Sequence, residues 1–115
     1  MSFELDCLFC RFVNGEAPVE IVAQNASAIA FYDINPQAPV HMLVVPRDHY
    51  VDVATLADAD PQSLAALVTL AREVAFNEAG GEFRLIFNSG PTAGQSIYHV
   101  HGHVIGGTML GWTPA

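Results

Sequence analysis

Apolar residues change period several times along this chain, and each change marks an element. Leu64, Leu67, Val68, Ala71, Val74 and Ala75 recur at helical spacing. Asp60-Pro61 ahead of them supplies an N-cap and a proline at the first helical position, and Ala79-Gly80-Gly81 behind them offers a left-handed cap. These signals predict one long helix. Leu5 to Val13 predicts a short one, with Leu8, Phe9 and Phe12 on one side and Asn14-Gly15 and Pro18 beyond its end. Glu20 to Gln24 and Ala28 to Asp33 flank the turn Asn25-Ala26-Ser27 and read as a hairpin. His41-Met42-Leu43-Val44-Val45 lies between the broken segment Asn35-Pro36-Gln37-Ala38-Pro39 and Pro46, which predicts a buried central strand. Phe83 to Asn88 and Tyr98 to Ile105 supply the last strands, the second ended by Gly106-Gly107. The expected class is α+β: a five-stranded antiparallel sheet covered by one long and one short helix, in a single domain over residues 1–115.

Composition narrows the chemistry. The chain has 115 residues, enough for one core without disulfides, and is 51% hydrophobic and 14% charged. Its mean hydropathy of +0.31 leaves apolar surface for a second copy to cover, so a homodimer is expected. The apolar stretches Val40 to Val45 and Leu64 to Ala71 are too short to span a bilayer, and the first ten residues carry two acids and no basic run. A cytoplasmic location and no membrane partner are the expectation. A net charge of −8, with four Arg and no Lys, argues against nucleic acid polymers, because a phosphate backbone calls for a basic stripe. Lysine's absence also removes P-loop and Schiff-base chemistry. Any phosphate is left to backbone amides, hydroxyls, imidazoles and the few arginines, which favours small, lightly charged substrates.

Candidate chemistry concentrates in His99-Val100-His101-Gly102-His103-Val104. On a strand, side chains alternate, so three of the five histidines share one face about 6.5–7 Å apart. Such a row also fits a solvated strand face or a metal site built from His at i and i+2. The preceding loop, Asn88-Ser89-Gly90-Pro91-Thr92-Ala93-Gly94-Gln95-Ser96, brings small, donor-rich residues to the start of the row. A surface face has no need of them, and a nucleophile beside an anion cradle suggests phosphorus chemistry.

The segment His99 to Ile105 resembles the signature of the histidine triad (HIT) family, His-φ-His-φ-His-φ-φ with φ apolar. Phe31 to His41, Gly94-Gln95-Ser96-Ile97-Tyr98 and Gly111-Trp112-Thr113-Pro114 resemble further landmarks of the branch that hydrolyses purine nucleoside phosphoramidates. Gly102 departs from the pattern, which has an apolar side chain there. The resemblance implies that His101 attacks the α-phosphorus and becomes nucleotidylated, with nucleoside monophosphate released. It implies that His103 and His41 orient the row and bind phosphate oxygens, and that Ser96 donates to the leaving group or a nonbridging oxygen. Gln95, Asn88 and the Gly94 N–H complete the oxyanion cradle in this picture, and Asp33 binds the ribose hydroxyls. Phe9, Phe12, Phe31, Ile34 and Leu43 line the base pocket, His99 adjoins the substrate, and Trp112 reaches the partner's site in similar dimers. Two rival readings are a dinucleoside polyphosphate hydrolase or phosphorylase, disfavoured by the scarcity of cations, and a nucleotide-binding regulatory module without turnover.

Cys7-Leu8-Phe9-Cys10 is half of a zinc site, a redox pair or two buried small residues; a structural disulfide is disfavoured in a reducing compartment. Similar bacterial HIT proteins join such a pair to two histidines around zinc. The matching positions here are His49 and His99, and four ligands with no open position make a structural zinc, with no cofactor needed for catalysis.

Overall fold

A computed structural model of the chain describes residue 4 and residues 6–111. Helix α1 runs Leu8–Val13, followed by strands β1 (Ile21–Gln24), β2 (Ala28–Tyr32) and β3 (Val40–Pro46), helices α2 (Val53–Ala59) and α3 (Pro61–Ala79), then β4 (Phe83–Phe87), a 3-10 turn (Pro91–Ala93) and β5 (Gly102–Gly106). The five strands form one antiparallel sheet in the order β1-β2-β3-β5-β4. The expected class is therefore the observed one.

The long helix begins and ends where its signals lie. Asp60 caps it by accepting from Ser63 N–H (3.2 Å), and Gly80 adopts φ +66°, letting Gly81 N–H reach back to the Ala75 carbonyl. Its apolar stripe, Leu67, Leu70, Ala71 and Val74, buries one face of the sheet, made of Ala28, Ala30, Met42, Val44 and Val104. On the opposite face Ile29, Phe31, Leu43 and Val45 pack against Phe9 of α1. Because β3 is covered on both sides, all seven of its residues are buried, as its unbroken apolar run predicts.

Two features depart from the pattern reading. Helix α2 was not expected: it has one fully buried core position, Leu56, too few for a visible stripe, and it stands on the Asp52 cap, whose Oδ1 accepts from Thr55 N–H (2.9 Å). The last strand starts at Gly102 rather than Tyr98. Gly102 pairs with Val44 on one side and with Phe87, the last residue of β4, on the other. Above Val44, β3 is near its end at Pro46, which has no N–H to give. Residues 99–101 leave the ladder, and Val100 N–H bonds instead to the Tyr50 carbonyl (2.8 Å).

Candidate active site

Departure from the ladder divides the histidine row. His101 and His103 line a cavity of about 420 Å³, walled by Phe9, Phe12, Phe31 and Leu43 and edged by Asp33 and Ser96. Ile34 sits at its rim, fully exposed. His99 is completely buried behind Phe9 and His101 and is not among the residues that line this cavity, which corrects the expectation that it adjoins the substrate.

Hydrogen bonds assign the proton on each ring, because a carbonyl only accepts and a backbone N–H only donates. The His99 carbonyl stands 2.9 Å from His101 Nδ1, so that nitrogen carries the proton. Nε2 is left with its lone pair and no protein partner among the described residues. Gln37 N–H donates to His41 Nδ1 (2.9 Å), so His41 carries its proton on Nε2. That proton faces His103 Nδ1 at 3.0 Å and Asp33 Oδ2 at 3.3 Å. With Nδ1 accepting, His103 presents Nε2–H as a donor. Asp33, His41 and His103 are close enough to surround an ion, but a protonated His41 Nε2 has no lone pair for one. The cluster is a hydrogen-bond relay.

Burial, with His101 and His41 beside it, pushes His103 down to about 4. It is a neutral donor near pH 7. The rings of His101, His103 and His41 follow one another at 5.2 Å between centroids, closer than an ideal strand spacing, with the His101 and His103 rings edge to face. Phe9 meets His101 edge-on at 5.2 Å and fixes its plane. Neither the Phe9 contact nor the Gln37 amide was anticipated; the spacing of Gln37 four residues before His41 was the only available signal.

The small-residue loop reaches the cavity through fewer groups than expected. Gln95 is buried, with its Oε1 accepting from Gly90 N–H (2.9 Å) and its Nε2 donating to the carbonyls of Val51 (2.6 Å) and Ile97 (3.1 Å). Its amide staples the loop and has no hydrogen left for a ligand, which corrects its place in the oxyanion cradle. Asn88 Nδ2 donates one of its two hydrogens to the Ala93 carbonyl, Gly94 N–H donates to that of Pro91, and neither residue lines the cavity. Ser96 alone of this group lines the cavity, and its residue is exposed.

Behind the cavity lies a second constellation. Cys7 Sγ is 3.3 Å from His99 Nδ1, and Cys10 Sγ is 3.3 Å from His49 Nδ1 and 3.4 Å from His99 Nδ1. The four ligand atoms all lie within 4.8 Å of one another, a spacing that suits the corners of a tetrahedral thiolate and imidazole site. His99 Nε2–H donates to the Pro46 carbonyl (2.9 Å), which turns the Nδ1 lone pair toward both sulfurs. Burial pushes His99 down to about 4, keeping the ring neutral, and raises the Cys10 thiol to about 11, a cost that a cation beside the sulfurs offsets. The donor set fits zinc.

Residues 14–110 match the model of the HIT domain family. The chain belongs to the HIT family. An uncharacterised HIT-like protein of Synechocystis sp. is 36% identical over 110 residues, covering 95% of this chain and 96% of the relative. A HIT family hydrolase from Legionella pneumophila superimposes with a TM-score of 0.89 at 38% identity, covering 96% of this HIT chain and all of the other. A zinc-bound histidine triad family protein from Mycobacterium smegmatis has a TM-score of 0.75 at 29% identity, over 89% of this chain and 75% of that one. The cysteine and histidine cluster is compatible with the same metal. Trp112 lies outside the described residues. Among those residues, no helix is long and apolar enough to cross a membrane.

Proposed function

We propose that this HIT protein is a single-domain, homodimeric, cytoplasmic hydrolase that cleaves the P–N or P–O bond at the α-phosphate of a purine nucleoside 5′-phosphoramidate or related conjugate. The observation that carries the reading is the His101 Nδ1–H bond to the His99 carbonyl, which leaves Nε2 nucleophilic beside the cavity. Nε2 attacks phosphorus, the bond to the leaving nitrogen breaks, and the departing amine takes a proton from the Ser96 hydroxyl, which regains one from solvent. Water then attacks the same phosphorus, releasing nucleoside monophosphate and free His101. His103 Nε2–H binds a nonbridging oxygen, a donor already aimed when charge develops there. His41 holds His103 in that tautomer, Asp33 binds the ribose hydroxyls, and Phe9, Phe12, Phe31, Ile34 and Leu43 hold the base. Hydrolase names among the structural relatives support the same class. Cys7, Cys10, His49 and His99 hold a structural zinc that ties α1 to the residues before β5 and takes no part in the chemistry.

Intact mass after rapid quench with adenosine 5′-phosphoramidate tests the reading. An added nucleotidyl group on wild type and none on His101→Ala is the expected result. Binding of AMP with no adduct and no turnover between about pH 6 and 8 overturns it in favour of a binding module. A strong preference for a diadenosine polyphosphate overturns the substrate assignment.

A further inference from the structure

Asp33 stands where two demands meet. Its Oδ1 accepts Asn35 N–H (2.8 Å), which fixes the carboxylate at the end of β2. Its Oδ2 faces His41 Nε2 at 3.3 Å and lies 4.0 Å from His103 Nδ1. Since Gln37 N–H occupies His41 Nδ1, the neutral His41 ring has one proton and two acceptors within reach of it. One N–H cannot align fully with both. The Asp33 side chain also edges the cavity and retains 18% of its accessible surface, so a ligand hydroxyl can reach the same carboxylate.

We propose that Asp33 is a positioning residue that links occupancy of the sugar pocket to the proton on His41. The inference rests on the ribose role given to Asp33 above. A hydroxyl donating to the carboxylate weakens its hold on the His41 Nε2–H, and that proton turns fully to His103 Nδ1. His103 is then locked with its own proton on Nε2, facing the phosphoryl group. With the sugar hydroxyls missing, Asp33 keeps part of the His41 proton. The His103 ring is then held less firmly, and its Nε2–H is less well aimed at a phosphate oxygen. Discrimination for a sugar bearing hydroxyls therefore enters kcat as well as KM and registers at the His41 and His103 ring nitrogens, which a simple ribose clamp leaves unmoved.

Long-range proton–nitrogen spectra of the ¹⁵N-labelled chain, titrated with adenosine or 2′,3′-dideoxyadenosine, test this without any turnover. Adenosine is expected to shift His41 Nε2 and His103 Nδ1 saturably, the dideoxy nucleoside to bind without that shift, and Asp33→Asn to abolish it. In parallel, removing both hydroxyls from the phosphoramidate should lower wild-type kcat at least fivefold and that of Asp33→Asn less than twofold. Equal ring shifts from the two nucleosides, an effect confined to KM, or no binding of adenosine at millimolar concentration overturns the proposal. The comparison of nucleosides on wild type needs no variant, so it decides the matter even if Asp33→Asn fails to fold. Absence of turnover with both substrates is a failure of the hydrolase reading, and the spectra distinguish the two.

Discussion

Gly102 is where this chain departs from the apolar position of the HIT signature, and the structure gives a quantitative reason. A Cβ placed there meets Leu85 Cδ1 at 2.9 Å and the Phe87 ring at 3.0 Å, both from β4. Those two side chains fill the volume that a residue at position 102 would otherwise occupy. For Gly102→Ala, overpacking costs about 1–3 kcal/mol, and the loss of glycine's freedom in the unfolded chain returns about 0.5–1 kcal/mol. The net expectation is destabilisation by about 1 kcal/mol, because the ends of Leu85 and Phe87 are half-buried and yield. Gly102→Leu, which restores an apolar residue, should cost about 3 kcal/mol. Phe87→Ala removes the obstructing ring, so the double variant should be more stable than the sum of the single changes by at least about 1.5 kcal/mol. Urea denaturation of the four proteins, followed by far- and near-ultraviolet circular dichroism, gives the cycle. Additive effects, or a Gly102→Leu variant as stable as wild type, would show that the space behind the strand is open and refute the packing argument.

Two further outcomes follow from the site. His103 is pushed down to about 4 in the folded protein, so between its ordinary value near 6.5 and 4 the unfolded chain binds the extra proton. Stability is therefore full above pH 6.5 and falls on acidification, by at most about 3 kcal/mol from this ring; His103→Gln should flatten the slope relative to wild type, and identical slopes would contradict the assignment. Metal analysis should find about one zinc per wild-type chain, in line with the closed four-ligand set. Cys10→Ser should lose that zinc and about 4 kcal/mol of stability at zinc a thousandfold above its dissociation constant, and a metal-free wild type of equal stability would remove the structural zinc.

Much of the fold was legible because its signals are local. The Asp60-Pro61 start, the Gly80 stop and the apolar run of β3 each occupy a few adjacent residues, and each marks a real boundary. Helix α2 was invisible because only Leu56 of its seven residues is fully buried. The start of β5 was misplaced for another reason. Period two continues through His99, but a strand needs a ladder partner, and beyond Gly102 its neighbours are ending. In the site, the family resemblance implies Gln95 as part of an oxyanion cradle beside the small residues of its loop. In fact, its amide is what holds those residues in place.

The order of residues alone determined which imidazoles, thiols and hydroxyls the protein has to work with, the period that builds the sheet, and the scarcity of cations that disfavours polyanions. Only the tertiary structure decided which nitrogen of each ring holds a proton. That choice depends on what faces the ring: Gln37 N–H for His41, the His99 carbonyl for His101, and, for His103, a ring 62 residues away in the chain. Side-chain chemistry is written residue by residue, whereas the state of a proton belongs to a pair of groups that only folding brings together.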